Sequence, residues 1–204
     1  MRSARLIYNP TSGREEMKRR LADILDRLDS AGIETSSHAT KGEGDATREA
    51  ADAVERGYDL VIAAGGDGTI NEVINGMAGR DNLPPLGIFP MGTTNDFARA
   101  LGISKNWEEY CDLVIRGETR PIDVGKANDR YFINIAGGGT LTELTYEVPS
   151  KLKTMIGQLA YYLKGIEKMV SLTPQELIIN ASGHEAIHDE FMVFLIANSN
   201  SVGG

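Results

Sequence analysis

The residues that most constrain the fold run from Asp59 to Glu72, where an apolar segment leads into a glycine turn and then into a helical pattern. Leu60–Ala64 is a short apolar run bounded by turn-forming residues, which predicts a buried strand. Gly65–Gly68 forms the turn, and apolar residues at helical spacing predict a helix that begins at Thr69. In α/β sheets, ligands bind beyond the carboxyl ends of strands, and the free N–H groups of a helix start favour an anion there.

Strands and helices alternate on both sides of this stretch. Each apolar strand candidate is followed by a polar loop and then by apolar residues at helical spacing. The predicted strands are Ala4–Tyr8, Ile33–Ala39, Leu60–Ala64 and Leu86–Phe89. After the last strand we expect a helix through Phe97 and Leu101, and Ser104 is expected to cap another helix that ends at Ile115. This order predicts an α/β domain over residues 1–121, with a parallel sheet and right-handed crossovers.

The pattern changes after Arg120, where alternating polarity replaces helical spacing. Ile122–Lys126 and Tyr131–Ile135 flank Asn128-Asp129, which predicts a hairpin. The remaining predicted elements are a loop at Gly137–Gly139, a helix over Lys151–Ser171, and strands at Leu177–Asn180 and Phe191–Ala197. We expect residues 122–204 to form the start of an antiparallel β-rich domain. It is expected to be incomplete, because an apolar strand next to Gly204 would leave a sheet edge uncovered.

Composition argues against several classes of protein. The net charge of −8 disfavours nucleic-acid binding, which usually requires a basic face. No apolar run approaches the ~20 residues that a membrane-spanning helix needs, and the N-terminus lacks the apolar segment of a signal peptide. The single cysteine, Cys111, excludes an internal disulfide. The expected compartment is therefore the cytoplasm.

Four polar loops follow the four predicted strands of the first domain. They are Asn9–Gly13, Thr40–Asp45, Gly65–Thr69 and Gly92–Asp96. Because the carboxyl ends of parallel strands meet at one edge of a sheet, all four loops should open together. Their glycine N–H groups and hydroxyls can donate to phosphate oxygens, while Asp67 and Asp96 can hold Mg²⁺ or take a proton. The chain lacks a Walker-A glycine-lysine loop and the third glycine of a dinucleotide fingerprint.

Two further features have an ordinary structural interpretation. His184–His188 matches the His-Glu-x-x-His zinc signature, which requires a helix. In a strand the two histidines would lie roughly 13 Å apart and could not share an ion, so we interpret the segment as an exposed hairpin. The basic side of the Lys151–Ser171 helix suits a membrane surface, although a packed core helix with a solvated lysine face is the favoured interpretation.

The Gly65–Thr69 loop followed by Asn71-Glu72 resembles the nucleotide loop of diacylglycerol-kinase-type catalytic domains. That family includes soluble bacterial diacylglycerol kinases, sphingosine kinases and ceramide kinases. The resemblance covers nearly the whole chain and is also carried by Asn9–Gly13, Thr40, Gly44–Ala46, Gly92–Arg99, Asp123–Gly125 and Pro149–Lys153. NAD kinases and phosphofructokinases share the glycine-glycine-aspartate loop, whereas the Asn9–Gly13 and Gly92–Phe97 loops point to the lipid kinases.

The resemblance implies a phosphofructokinase- or NAD-kinase-like nucleotide-binding domain and ATP as the phosphate donor. The ATP contacts it implies are Asn9, Thr11, Ser12, Gly13, Thr40, Gly66, Asp67, Gly68, Thr69, Ile70, Asn71, Glu72 and Thr93. Asp67 and Asp96 would lie at the phosphoryl-transfer centre with Mg²⁺. Which of the two binds the metal and which assists the nucleophile is left open. A general base is expected beyond Gly204.

The activity that the resemblance implies is an ATP-dependent lipid kinase, which phosphorylates the hydroxyl of diacylglycerol to give phosphatidic acid. The lipid substrate would be met at the membrane surface, so we expect a cytoplasmic protein with peripheral contact at the inner membrane face. A homodimer is compatible with this picture. The alternatives left open are a non-catalytic ATP-binding fragment and an NAD-kinase-like enzyme.

Overall fold

The computed structural model of the chain describes residues 1–138, 174–180, 183–192 and 194–198. These residues form two compact units: Met1–Asn134, which Asn198 joins, and the described part of Ile135–Ala197. The domain bounds expected from sequence, 1–121 and 122–204, stay a prediction. The predicted Lys151–Ser171 helix lies outside the described residues, as does Gly139.

A four-stranded parallel sheet forms the centre of the first unit, as predicted. Its strands are β1 (Arg2–Tyr8), β2 (Ile33–Ala39), β3 (Leu60–Gly65) and β4 (Leu86–Pro90), in the spatial order β2-β1-β3-β4. Every pairing is parallel. All of β3 is buried, which explains why this strand is a continuous apolar run rather than an alternating one.

Helices connect the strands and cover both faces of the sheet. They are a 3-10 turn (Ser12–Glu15), α1 (Glu16–Ser30), α2 (Asp45–Glu55), α3 (Asp67–Met77), α4 (Asp96–Ala100) and α5 (Trp107–Arg116). Leu6 and Ile62 lie in an apolar cluster with α1 and α5, whereas their neighbours Ile7 and Val61 lie in a second cluster with α2, α3 and α4. Because successive strand residues point to opposite faces, one sheet supplies both cores.

Two helix starts differ from the predictions. Helix α3 begins at Asp67 rather than Thr69, because the carbonyl of Gly66 accepts the first helical hydrogen bond, from Ile70. Helix α5 is capped by Asn106 rather than Ser104. The Asn106 side-chain oxygen accepts from the N–H of Glu108 at 2.8 Å, whereas Ser104 accepts from Asn106 itself. Asn is as good an N-cap as Ser, so composition did not distinguish them.

The rest of the described chain pairs its strands antiparallel, as predicted. β5 (Gly125–Ala127) and β6 (Arg130–Phe132) form the expected hairpin around Asn128, which has φ 52°. In the second unit, β7 (Ile135–Gly138) pairs with β10 (Phe194–Ala197), and β8 (Gln175–Ile179) pairs with β9 (Ile187–Phe191). None of the helices in the described part of the chain has the length and apolar character needed to cross a membrane.

Two predictions in the second unit are wrong. Gly137 and Gly138 belong to strand β7, not to a loop, and pair with Leu195 and Phe194 of β10. A side chain at either glycine would collide with the side chain of its paired residue. Glycine is depleted in strands on average, but here it makes room for a neighbour. The predicted strand Phe191–Ala197 is divided, because β9 ends at its first residue and β10 begins at Phe194.

The zinc-like segment is not helical. His184 precedes β9, and His188 lies within this strand with its Nε2 atom 2.7 Å from Oε1 of Glu176 on β8. Antiparallel pairing of β8 with β9, in register at Ile179 and Ile187, confirms the interpretation of this segment as an exposed hairpin. The helical spacing that makes the signature a metal site is therefore not present.

Candidate functional site

All four predicted loops open at the carboxyl edge of the parallel sheet, as expected from the strand direction. The loop after β1 is ordered by its own side chains: Oδ1 of Asn9 accepts from both the N–H and the hydroxyl of Thr11 at 2.9 Å. Gly13 has φ 56°, and a Cβ there would collide with the carbonyl of Met91 after β4. Glycine at position 13 therefore lets the β1 loop reach the β4 loop.

The loops after β3 and β4 pack backbone against backbone. A Cβ added to Gly92 would lie 2.5 Å from Cα of Gly66 and 2.7 Å from Oδ1 of Asn95. The Asn95 side chain is buried and holds the turn, because it accepts from the N–H of Gly92 at 2.8 Å and donates to its carbonyl at 2.6 Å. Asn95 belongs to the sequence motif but was not predicted to have a role. Its backbone is in the left-handed region, at φ 52°, which asparagine adopts more readily than most residues. An asparagine within a glycine turn was therefore the available signal.

Asp67 connects these two loops directly. Its Oδ2 atom accepts from the N–H of Asp96 at 3.1 Å, and its Oδ1 atom accepts from the N–H of Phe97 at 3.0 Å. These amides belong to the first turn of α4, where a negative charge is stabilising. The structure thus brings Asp67 and Asp96 together. The Asp96 side chain is only 15% exposed, with Oδ1 lying 3.7 Å from Nη1 of Arg99.

A cleft of about 380 Å³ lies among the loops after β1 and β2 and the start of α3. This volume is within the usual range for small-molecule sites. The cleft is lined by Asn9, Pro10, Thr11, Thr40, Lys41, Gly42, Glu43, Ala46, Thr69 and Glu72. Five of the predicted ATP contacts are therefore in one place: Asn9, Thr11, Thr40, Thr69 and Glu72.

The other predicted ATP contacts are not among the lining residues of the cleft. They are Ser12, Gly13, Gly66, Asp67, Gly68, Ile70, Asn71 and Thr93. The Ile70 side chain is fully buried in the core, and the Ile70 N–H already donates to Gly66. Thr93 is exposed, and its carbonyl accepts from Nζ of Lys105 at 3.3 Å. These positions stay predictions.

Sequence reasoning did not single out several residues that line the cleft. Lys41, Gly42 and Glu43 belong to the loop after β2, of which only Thr40 was predicted to bind ATP. Pro10 and Ala46 line it as well. Their signal was available. Pro10 and Lys41–Glu43 belong to predicted site loops, and Ala46 is part of the Gly44–Ala46 motif that carries the family resemblance.

Known proteins are similar to this chain. The family model described as diacylglycerol kinase catalytic domain matches residues 3–127. A diacylglycerol kinase of Bacillus subtilis (strain 168) is 60% identical over 100% of this chain and 67% of its own length. A diacylglycerol kinase of Staphylococcus saprophyticus is 51% identical over 98% of this chain and 66% of its own length.

A solved structure is similar as well. The crystal structure of a diacylglycerol kinase from Bacillus anthracis str. Sterne superimposes with a TM-score of 0.72 and 31% sequence identity, over 98% of this chain and 65% of that one. The chain spans about two thirds of the length of these relatives. The chain belongs to the family of diacylglycerol kinase catalytic domains.

Proposed function

We propose that the chain carries the nucleotide-binding part of an ATP-dependent lipid kinase, which phosphorylates the hydroxyl of diacylglycerol to give phosphatidic acid. The observation that carries this proposal is the hydrogen bonding of Asp67 to the first turn of α4, which joins two glycine loops and brings two carboxylates together at one sheet edge. Family membership and the names of the relatives support the choice of lipid.

ATP is the proposed phosphate donor, with its nucleoside in the cleft and its phosphates at the start of α3. Gly68 supports this arrangement, because nothing lies within 4 Å of a Cβ built there. Its backbone is not in the left-handed region, so the local fold does not require glycine. A side chain at this position would instead obstruct the first N–H groups of α3, which are suited to bind an anion.

Mg²⁺ is the proposed metal, and the residues present fit it. Kinase Mg²⁺ is typically held by one or two carboxylates together with substrate phosphates, and Asp67 and Asp96 are two such groups. Both oxygens of Asp67 already accept an N–H, but a carboxylate has about four lone-pair positions and so retains capacity for a cation. When bound, the ion would neutralise the charge of the phosphates.

Phosphoryl transfer demands positioning more than covalent chemistry from the protein. In the proposed reaction the loop N–H groups hold the phosphates while the lipid hydroxyl attacks the γ-phosphorus. The bond to the β-phosphate oxygen breaks, ADP leaves, and the hydroxyl proton passes to a base. In this proposal the loops of the chain orient the donor.

The proposed location of the protein in the cell follows from its proposed lipid substrate. A lipid substrate requires contact with a membrane surface, and we propose a cytoplasmic protein that binds the inner membrane face peripherally. A homodimer is the proposed assembly. Nucleic acid is not a proposed partner, given the net charge of −8. Co-sedimentation with diacylglycerol-containing vesicles tests the membrane contact, and light scattering tests the dimer.

The proposed activity is tested with the full-length protein, radiolabelled ATP and diacylglycerol in mixed micelles. Label is expected on the lipid, and an Asp67→Asn variant is expected to lose at least about 100-fold in rate. The matched control is Asp52→Asn on α2, which changes a carboxylate that is 49% accessible and pairs with Arg56. Label on NAD and none on lipid would instead favour an NAD-kinase-like enzyme. Thermal stabilisation by ATP without turnover would favour a non-catalytic ATP-binding module.

A further inference from the structure

The loop between β2 and α2 forms one wall of the cleft, with Thr40, Lys41, Gly42 and Glu43 among the lining residues. Two backbone N–H groups hold the start of this wall through hydrogen bonds. The N–H of Thr40 donates to the carbonyl of Tyr8 at 2.9 Å, which continues the pairing of β2 with β1. The next N–H, of Lys41, donates to a side chain instead.

The acceptor of the Lys41 N–H is Oδ2 of Asp45, at 2.9 Å. A carboxylate in the first turn of a helix usually interacts with the N–H groups of that same turn. Here Asp45 points back to the preceding loop, while Gly44, with φ 75°, caps α2 without a side chain. The carboxylate therefore orders the cleft wall rather than the helix start.

Two side chains, those of His38 and Arg48, fix the Asp45 carboxylate. Nε2 of His38 lies 3.1 Å from Oδ2, and Nη2 of Arg48 donates to Oδ1 at 2.9 Å. The hydrogen bond to His38, followed by the one from the Lys41 N–H, lowers the pKa of Asp45 from 3.8 to about 2. At neutral pH Asp45 is therefore an ionised, charge-assisted acceptor for the loop.

His38 is itself held from its other side. Its Nδ1 atom lies 3.3 Å from Oε2 of Glu49, whose Oε1 atom accepts from Nε of Arg5 at 2.6 Å. The His38 side chain is 22% exposed and those of Glu49 and Arg5 are 15% exposed. Groups from β1, β2 and α2 thus restrain one carboxylate, and that carboxylate contacts the cleft wall at Lys41.

We propose that Asp45 is a positioning residue for nucleotide binding, because its carboxylate holds the Lys41 amide and sets the Thr40–Glu43 wall before the nucleotide arrives. This inference rests on the proposed function, in which the cleft receives ATP. A wall ordered in advance does not have to lose conformational entropy on binding, and that saving appears as affinity. Asp45 does not touch the phosphates, so it acts on binding and not on the transfer step.

The test compares Asp45→Asn with Asp52→Asn, which lies on the same helix and changes an exposed carboxylate, 49% accessible. In the full-length protein, Asp45→Asn is expected to raise KM for ATP roughly threefold to tenfold, because its Nδ2 donor replaces an oxygen that accepts either from the Lys41 N–H or from Arg48. The kcat at saturating ATP should stay within about twofold, while Asp52→Asn changes neither quantity. Hydrogen exchange at the Lys41 amide should be faster in Asp45→Asn alone.

A second variant covers the case in which Asp45→Asn does not fold. His38→Ala removes a group that orients Asp45 and leaves the sequence of the loop unchanged. KM for ATP should shift in the same direction by a smaller factor. Unchanged KM together with unchanged exchange at Lys41 would overturn the inference. So would a fall in kcat and melting temperature without a rise in KM, because that pattern indicates a merely structural role.

ATP binding by the unaltered chain separates this inference from the proposed function. Calorimetric titration with ATP alone, without lipid, is sufficient. If the unaltered chain does not bind ATP, both the proposed function and the inference fail. If it binds ATP and Asp45→Asn binds equally tightly, the role of Asp45 is overturned and the proposed function stands.

Discussion

The side chain of Asn75 pairs with both backbone polar groups of Tyr131. Its Nδ2 atom donates to the Tyr131 carbonyl at 2.8 Å, and its Oδ1 atom accepts from the Tyr131 N–H at 2.9 Å. The same Nδ2 donates to the carbonyl of Asn71, one turn earlier in α3. A single side-chain amide of α3 thus makes the two backbone hydrogen bonds to β6 that a neighbouring strand would make.

We predict that Asn75→Ala lowers the free energy of unfolding by about 1–3 kcal/mol, because it leaves two half-buried backbone groups of Tyr131 without their partner. Urea-induced unfolding measures this. Asp81→Ala is the control, since Asp81 is exposed and its loss should change stability by no more than about 0.5 kcal/mol. Equal losses in the two variants would mean that the Asn75 pairing contributes nothing.

Two glycines of the site loops should respond to alanine in opposite directions. Gly92→Ala is expected to destabilise the protein by about 1–3 kcal/mol, because the new methyl group would lie 2.5 Å from Cα of Gly66 and force the loops apart. Gly68→Ala is expected to stabilise it by ~0.5–1 kcal/mol, since alanine is favoured over glycine in a helix and the space is open.

ATP binding supplies the second measurement for this pair. Gly68→Ala should weaken ATP binding although it stabilises the fold, because its methyl group would lie over the start of α3. Unfolding and calorimetric titration of both variants check the prediction. A Gly68→Ala protein that binds ATP as tightly as the unaltered chain would argue against phosphates at this helix start.

Acid should remove the contribution of Asp45 to stability. Its pKa is lowered from 3.8 to about 2 in the folded chain, by His38 and by the Lys41 N–H. A lowered pKa means that the folded state favours the ionised form, so this stabilisation is complete well above pH 3.8 and is lost as the pH falls towards 2. The difference in unfolding free energy between the unaltered chain and Asp45→Asn should therefore shrink between pH 5 and pH 2.5. A constant difference would contradict this.

Cys111 should be unreactive in the folded protein. Burial is the main reason that the pKa of its thiol rises to about 12, so almost no thiolate exists at pH 8. Labelling with a chromogenic disulfide at pH 8 should be far slower than for the same chain in denaturant, which serves as the control. Labelling of the native chain at the rate of the denatured one would show that the site opens readily.

The sheet and its loops could be predicted from sequence because their signals are local. Leu60–Ala64 is an apolar run between turn residues, and a buried central strand needs nothing more. Once the strands are parallel, the position of the loops follows without further information. Asn9, Thr40 and Glu72 were therefore expected at one sheet edge, and all three line the cleft.

The connections between loops were not predictable in the same way. Asp67 was recognised as a carboxylate in a glycine loop, but its hydrogen bonds to α4 join residues 29 and 30 positions apart. Gly137 was predicted to lie in a loop because glycine is typical of loops. In the structure it is part of a strand, where glycine leaves room for the side chain of Leu195 on the paired strand β10. Contacts of this kind depend on which elements become neighbours, and no local pattern encodes that.

Trp107, the only tryptophan of the chain, begins α5 and packs against the core of the first unit, with Cζ of Arg20 5.6 Å from its ring centre. Tryptophan fluorescence, excited selectively over tyrosine, therefore reports on the melting of the first unit and carries no direct signal from residues 135–197. Circular dichroism reports on the secondary structure of both units. Superimposed melting curves from the two signals would mean that the units unfold as one cooperative body, and a gap between the curves would measure how independently each one is held.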